Sequence, residues 1–276
     1  LTLRHRCHLT AAMSQPTQPD LPDTLSAAID GPVAVLSLNR PAKRNALDEP
    51  TVLGIERFFA ELPAAIGAVV IRGEGEHFCA GLDLADLRTR DATGGLHHSR
   101  AWHRAFERIE HGRVPVIAVL HGAVIGGGLE LACAAHIRVA ERSAYYALPE
   151  GQRGIFVGGG GSVRLPRLIG VARMADMMLT GRTYSAEQGV ALGFSQYLVE
   201  PGEGMGKALE LARRVAANAP LTNFAVIHAL PRIAEADPAT GLLTESLMAA
   251  VAQADEAAKA RLAAFLEKRA GKVAPP

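Results

Sequence analysis

Residues 114–120, Val-Pro-Val-Ile-Ala-Val-Leu, are apolar almost without a break, and a glycine-studded stretch, 121–128, follows at once. A strand that is apolar at nearly every position, rather than at every second one, suits a sheet covered on both faces. That requirement points to an α/β body, and the chain around it agrees. Val33–Leu38 alternates apolar with small residues and predicts a strand, broken by the polar loop 39–45. Asp48 can cap a helix over 48–62, with Val52, Ile55, Phe58, Phe59 and Leu62 on one face. Residues 68–71 predict a short buried strand and 96–110 a helix. After the strand at 114–120, a loop at 121–126 leads to a helix over 127–135 and a strand over 137–140. A polar, glycine-rich stretch, 149–161, precedes a helix starting near Ser162. Gly170, Gly181 and Gly193 each follow a short helical pattern, as helix-ending glycines do. From Gly204 onward the chain is Ala-rich and helical in period. We therefore expect a flexible lead-in over 1–23, an α/β core over 24–200 and a helical region over 201–276.

Composition enters as a set of exclusions. Of 276 residues, 49% are hydrophobic and 21% charged, which rules out a disordered or collagen-like chain. Lys plus Arg number 29 and Asp plus Glu 28, for a net charge of +1, so no clustered basic surplus points to nucleic acid or an anionic membrane. The three cysteines, Cys7, Cys79 and Cys133, are too few and scattered for a disulfide framework or a zinc site, and read as a reducing, cytoplasmic compartment. No apolar run approaches the roughly 20 residues of a membrane span. Residues 1–12 carry Arg4, His5, Arg6 and His8 without an apolar stretch, so they read as an extension before Met13 rather than a secretory signal. Ten histidines show no His-x-x-x-His spacing, and no metal is expected.

Three clusters interrupt this scaffold: Cys79-Ala80-Gly81-Leu82-Asp83, Gly126-Gly127-Gly128-Leu129-Glu130, and Pro149-Glu150-Gly151 with Gly158 to Gly161 beyond it. Glycines opening a helix leave backbone N–H groups accessible, with the positive end of the helix dipole behind them. One further N–H from another loop, such as that of Leu82, would make two convergent donors, an oxyanion hole. Glu130 and Glu150 could then face a reacting carbon, and two carboxyls in one small site do not both ionise easily. Each piece alone has an ordinary explanation. A Glu in the first helical turn complements the dipole, and consecutive glycines can merely permit close packing. The three-glycine run lacks the Gly-x-Gly-x-x-Gly spacing of a dinucleotide site.

Taken together, the clusters resemble the crotonase superfamily, the enoyl-CoA hydratase and isomerase family. The likeness runs from about Thr24 to Lys272. It covers Asn39-Arg40-Pro41 through Asn45-Ala46-Leu47, Phe78 to Leu84, Gly126 to Ala132, Pro149-Glu150, Arg164-Leu165-Pro166-Arg167 and Ala264 to Arg269. The resemblance implies a spiral of β-β-α units with a helical C-terminal trimerisation region, assembled as a trimer or a dimer of trimers. It implies hydration of an enoyl-CoA, with no metal or redox cofactor and with coenzyme A arriving as part of the substrate. Leu82 and Gly127 match the oxyanion-hole donors, and Glu130 and Glu150 the catalytic carboxylates. Ala46, Ala80 and Leu84 match positions against CoA; Phe265 and Lys268 match positions on a neighbouring subunit's C-terminal helix that help cover it. An isomerase, which needs only the carboxylate matching Glu150, is the nearest alternative. Other acyl-CoA lyases or hydrolases and a non-catalytic acyl-CoA or RNA-binding relative lie further off.

The sequence departs from the commonest hydratase pattern at His121, His136 and Val157. The segment that usually borders the acyl pocket holds Ala85, Arg88, Arg90, His97, His98 and Trp102, equally readable as an exposed helix face. At Gly127, the missing Cβ is expected to let a thioester carbonyl approach.

Overall fold

The computed structural model describes residues 20–87 and 91–267. The chain opens with β1 (Leu25–Asp30), β2 (Val33–Leu38), α1 (Glu49–Ala60), β3 (Ala68–Gly73) and α2 (Ala92–Glu110). Then come β4 (Val116–Leu120), β5 (Ala123–Ile125), α3 (Gly127–Ala134), β6 (Ile137–Glu141) and β7 (Tyr145–Ala147). The elements α4 (Gly161–Ile169), α5 (Val171–Thr180), β8 (Thr183–Ser185), α6 (Ala186–Leu192) and β9 (Tyr197–Val199) complete the sheets. Helices follow: α7 (Gly204–Ala216), α8 (Pro220–Phe224), a π-helical turn (Ala225–Ala229), α9 (Leu230–Glu235), α10 (Pro238–Ala254) and α11 (Glu256–Leu266).

One sheet has the order β1-β2-β3-β4-β6-β9, parallel except for the β1–β2 hairpin, and a smaller one the order β5-β7-β8. The chain visits them in turn. β4 lies in the large sheet, β5 in the small one, and α3 closes the turn; β6, β7 and α4 repeat the pattern. Cys79, bridged to Val124 of β5, takes the small-sheet place in the turn between β3 and α2. The expected spiral of β-β-α units is thus the observed architecture, with helices at the C-terminal end.

β4 is buried at all five positions, as its apolar run predicts. Val116, Ala118 and Leu120 point into the main core, while Ile117 and Val119 meet Ala208, Leu211 and Ala212 of α7 on the other face. Each fully buried Val, Ile or Leu stabilises the fold by about 1.5–3 kcal/mol. The strand starts at Val116 rather than at 114, because Pro115 has no N–H for the ladder.

Asp48 caps α1 as expected, accepting from Thr51 N, and Gly170, Gly181 and Gly193 stand at the ends of α4, α5 and α6. Helix α2 begins before the expected residue 96, because the Asp91 side chain accepts from Gly94 N and caps it. Its buried stripe of Trp102, Ala105, Phe106 and Ile109 outweighs the weak helix propensity of Gly94 and Gly95. The hairpin strand β1 and the short strands β5, β7, β8 and β9 were not expected. Among the described residues no helix is long and apolar enough to cross a membrane.

Candidate active site

Gly126 joins the end of β5 to the start of α3, as the helix's N-cap. Gly126 has a φ of +54°, and a Cβ on it would lie 2.7 Å from Oε1 of Glu150, so conformation and space both demand glycine. Gly127 follows as the first helical residue, where N–H groups have no intrahelical partner. A parallel bridge between Cys79 and Val124 of β5 brings the second loop alongside, and a bridge between Leu47 and Leu82 fixes that loop's other side: Leu47 N donates to Gly81 O and Asp83 N to Leu47 O, each at 2.8 Å. The Leu82 nitrogen sits 3.3 Å from where a Cβ on Gly127 would be. Among the described residues no backbone carbonyl takes the N–H of Leu82 or Gly127. Two unengaged donors from separate loops thus lie side by side.

The space beside Gly127 is not empty as expected. A Cβ there would come within 2.6 Å of the Trp102 ring, so the glycine makes room for the indole.

Glu130, one turn into α3, is buried. Its Oε1 accepts from Gly159 N at 2.8 Å and Gly161 N at 2.7 Å. Burial pushes its carboxyl above the usual range, while these N–H groups and Arg164 pull it back. Glu150 lies after β7, at the head of a single 3-10 turn over Gly151–Arg153. It is buried too, and its Oε2 has no hydrogen-bond partner among the described residues. Burial first, then the charge of Glu130, pushes its carboxyl up to about 7. Burial thus works against ionisation of both carboxyls, but only Glu130 is gripped by N–H donors that oppose it, and Glu150 is poised to keep its proton near neutrality.

Both glutamates face a cleft of ≈ 380 Å³ shared with Leu82 and Gly127. Helix α2 lines it with His98, Ser99 and Trp102, and the segment after Glu150 with Ile155, Phe156 and Val157. Of the residues expected at an acyl pocket, His98 and Trp102 line it, while Ala85 and His97 are exposed and are not part of its lining. Arg88 and Arg90 lie outside the described residues. Cys79 and Cys133 are buried, and burial drives both thiols up to about 12, so neither is a nucleophile.

Residues 28–273 match the enoyl-CoA hydratase/isomerase family. The chain belongs to that family. It is 32% identical over 243 residues to the short-chain-enoyl-CoA hydratase of Clostridium acetobutylicum, covering 87% of this chain and 93% of that one. With the 2,3-dehydroadipyl-CoA hydratase of Escherichia coli the identity is 32% over 239 residues, covering 86% and 93%. A crystal structure from Rhodopseudomonas palustris CGA009, provisionally named an enoyl-CoA hydratase, superimposes with a TM-score of 0.88 at 65% identity, covering 94% of this chain and 98% of that one.

In this hydratase/isomerase-family chain the other expected residues divide. The Leu47–Leu82 bridge gathers Ala46, Ala80 and Leu84 along one rim, all at least partly exposed. Arg40, which sequence reasoning did not single out by function, ties that rim together. Its guanidinium donates to Ala46 O at 2.8 Å and pairs with Asp48 and Asp83 at 3.1 Å each. Phe265, on α11, is 52% exposed. Lys268 lies outside the described residues, as do residues 1–12 and Cys7. His136 is a structural group: Val116 N donates to its Nδ1 and its Nε2 meets Glu110 O, while burial holds its pKa at about 4.

Proposed function

We propose that this protein adds water across the 2,3-double bond of an enoyl-CoA thioester, giving a 3-hydroxyacyl-CoA. The observation that carries the reading is the pair of buried glutamates in one cleft, one held by backbone N–H groups and one with an unpartnered oxygen, beside two unengaged N–H donors. In this reading the thioester oxygen lies between the N–H groups of Leu82 and Gly127. Polarisation by both donors makes Cβ electrophilic and lets negative charge build on the oxygen as the enolate forms. Ionised Glu130 takes a proton from water as the water oxygen bonds to Cβ. Protonated Glu150 gives its proton to Cα. Proton return from Glu130 to Glu150, through solvent, resets the site. Coenzyme A enters as part of the substrate, with Ala46, Ala80 and Leu84 forming its binding rim, and the reaction uses no separate cofactor or metal.

The assembly is part of the proposal. In a single chain α10 and α11 leave Leu242, Leu243, Leu247, Leu262, Phe265 and Leu266 at least half exposed, more apolar surface than an isolated chain is expected to present. A closed trimer, or a dimer of trimers, would cover it and bring Phe265 and Lys268 to a neighbour's CoA. The buried thiols Cys79 and Cys133 suit a reducing compartment, and we place the enzyme in the cytoplasm.

The test is direct. Mixed with crotonyl-CoA, the protein should lower the ultraviolet absorbance of the conjugated thioester as hydration removes the conjugation. An absorbance that stays level would leave a binding protein; a rise on supplying a 3-enoyl-CoA would mark an isomerase.

A further inference from the structure

We propose that Arg164 is a positioning residue for Glu130: braced by Glu110, its guanidinium clamps the glycine loop whose N–H groups grip the Glu130 carboxylate. The inference rests on the catalytic reading of Glu130 and adds the device that holds it. Arg164 does not line the cleft, and its side chain is only 8% exposed.

In a trans peptide the C=O and the following N–H point in opposite directions. The peptide joining Gly158 to Gly159 aims its N–H at Glu130 Oε1, and its carbonyl accepts from Ser99 Oγ at 2.7 Å. The peptide joining Gly160 to Gly161 also aims its N–H at Oε1, and its carbonyl accepts the backbone N–H groups of Val163 and Arg164 at 3.1 Å each. Between them, the carbonyl of Gly159 accepts from Nη1 of Arg164 at 3.0 Å. Three successive carbonyls are therefore fixed, and the side chain of Arg164 holds the middle one.

The loop needs such a clamp because residues 158–161 are all glycine, with the widest backbone freedom of any residue. Gly160 sits at φ +94°, and a Cβ on it would fall 2.3 Å from Nη1 of Arg164, so the glycine also gives the guanidinium its seat. The guanidinium is anchored in turn. Its Nε donates to Glu110 Oε2 at 2.6 Å, and Nη2 lies 3.9 Å from Glu107. Glu110 is itself pinned through its backbone carbonyl, which His136 Nε2 meets at 3.0 Å. The planar fork can reach Glu110 and Gly159 O together, which an ammonium cannot do with fixed geometry.

The charged and titratable groups that act on Glu130 and its clamp come from four elements: Arg164 on α4, Cys133 on α3 and Glu150 after β7 act on Glu130, while Glu110 and His103 on α2 lie beside Arg164. Of these Arg164 is the cation that favours the ionised form of Glu130. Releasing the loop should thus misalign the base and make it harder to ionise.

The test compares wild type with Arg164→Lys, which keeps the charge and the backbone N–H but loses the fork. With an enoyl-CoA substrate, kcat should fall roughly ten- to a hundredfold, the cost of a misplaced catalytic group. KM should change little, and the acid limb of kcat should move to higher pH. The carboxyl resonance of Glu130, followed by carbon-13 NMR without substrate and assigned through Glu130→Gln, should titrate at higher pH in Arg164→Lys. That measurement decides the proposal even if wild type hydrates no enoyl-CoA, a result that would sink the hydratase reading alone. Should Arg164→Lys fail to fold, Glu110→Asp shortens the brace while keeping its charge, and must shift the resonance the same way by a smaller amount. A folded variant with wild-type kcat and an unmoved Glu130 resonance would overturn the assignment.

Discussion

Glu150 stores a pH-dependent strain that a single isosteric change should release. Its carboxyl rises from 4.5 to about 7 in the folded protein, because burial and the Glu130 charge oppose ionisation. A carboxyl that is harder to ionise when folded binds more protons in the folded state, so between those two values stability falls as pH rises. Below 4.5 the group costs nothing; above about 7 the full cost is present. At roughly 1.4 kcal/mol per unit, the shift is worth about 3 kcal/mol. Glu150→Gln keeps the shape and removes the ionisation. Any fixed penalty for the amide in place of the unpartnered Oε2 is the same at every pH. Denaturant titrations of wild type and Glu150→Gln, at about pH 5 and about pH 8.5, should therefore diverge. The variant should gain on wild type by about 2–3 kcal/mol between the two conditions while losing hydration. Stability curves that stay parallel across that range would refute the buried-acid argument, whatever the activity.

Glu130→Gln should cut hydration at least about a hundredfold while leaving CoA-thioester binding, measured by competition, intact; full hydratase activity in that variant would refute the two-carboxylate mechanism. The rate–pH profile of the wild type should lose activity as pH rises through about 7, the value to which Glu150 is raised, and a profile still climbing beyond it would show that another group is the acid. Gly127→Val should drive the Trp102 ring out of place, and adding Trp102→Leu should restore more folded protein than the two changes predict separately, a coupling readable by double-mutant cycle in melting experiments. Light scattering should give a trimer or hexamer, and Phe265→Asp with Leu247→Asp should lower its mass; a monodisperse, fully active monomer would rule the assembly out.

What the sequence made legible follows from the range over which each signal acts. The unbroken apolarity of β4 and the Asp48 cap are local, and both appear as expected. The three-residue strands β5, β7, β8 and β9 are too short to show a period, and exist because a neighbour completes their ladders. Leu82 and Gly127 were named as matching donors, but the Cys79–Val124 bridge that brings their segments together joins residues far apart in the chain. The clamp on Glu130 is more remote still. Arg164 and Glu110 are 54 residues apart and Ser99 and Gly158 are 59, so no spacing rule points from one to the other. Arg164 was visible as part of a motif, yet nothing in Arg-Leu-Pro-Arg itself says that one arginine turns inward. The Trp102 ring against Gly127 was equally hidden, since Trp102 reads in sequence as a residue of an amphipathic helix.

The asymmetry between the glutamates grows out of where the fold puts their backbones. Glu130 is carried by a helix, and the loop it faces is rich in glycine, so backbone N–H groups can close on its carboxylate from the loop that enters α4 and from that helix's first residue. Glu150 is carried by an irregular segment, against the bare backbone of Gly126, where the space that a Cβ would fill holds its Oε1. Burial works against ionisation of both, but hydrogen bonds from N–H groups oppose it at the first, while Oε2 of the second has no such partner. Exchanging the side chains would not exchange the roles, because the donors belong to the loop and the vacancy to the helix start. The same logic explains why three glycines open α3: Gly126 admits Glu150, Gly127 admits Trp102, and a Cβ on Gly128 would strike the Cys79 carbonyl at 2.4 Å. A glycine run that reads as mere flexibility is instead three separate steric requirements, each set by a different neighbour.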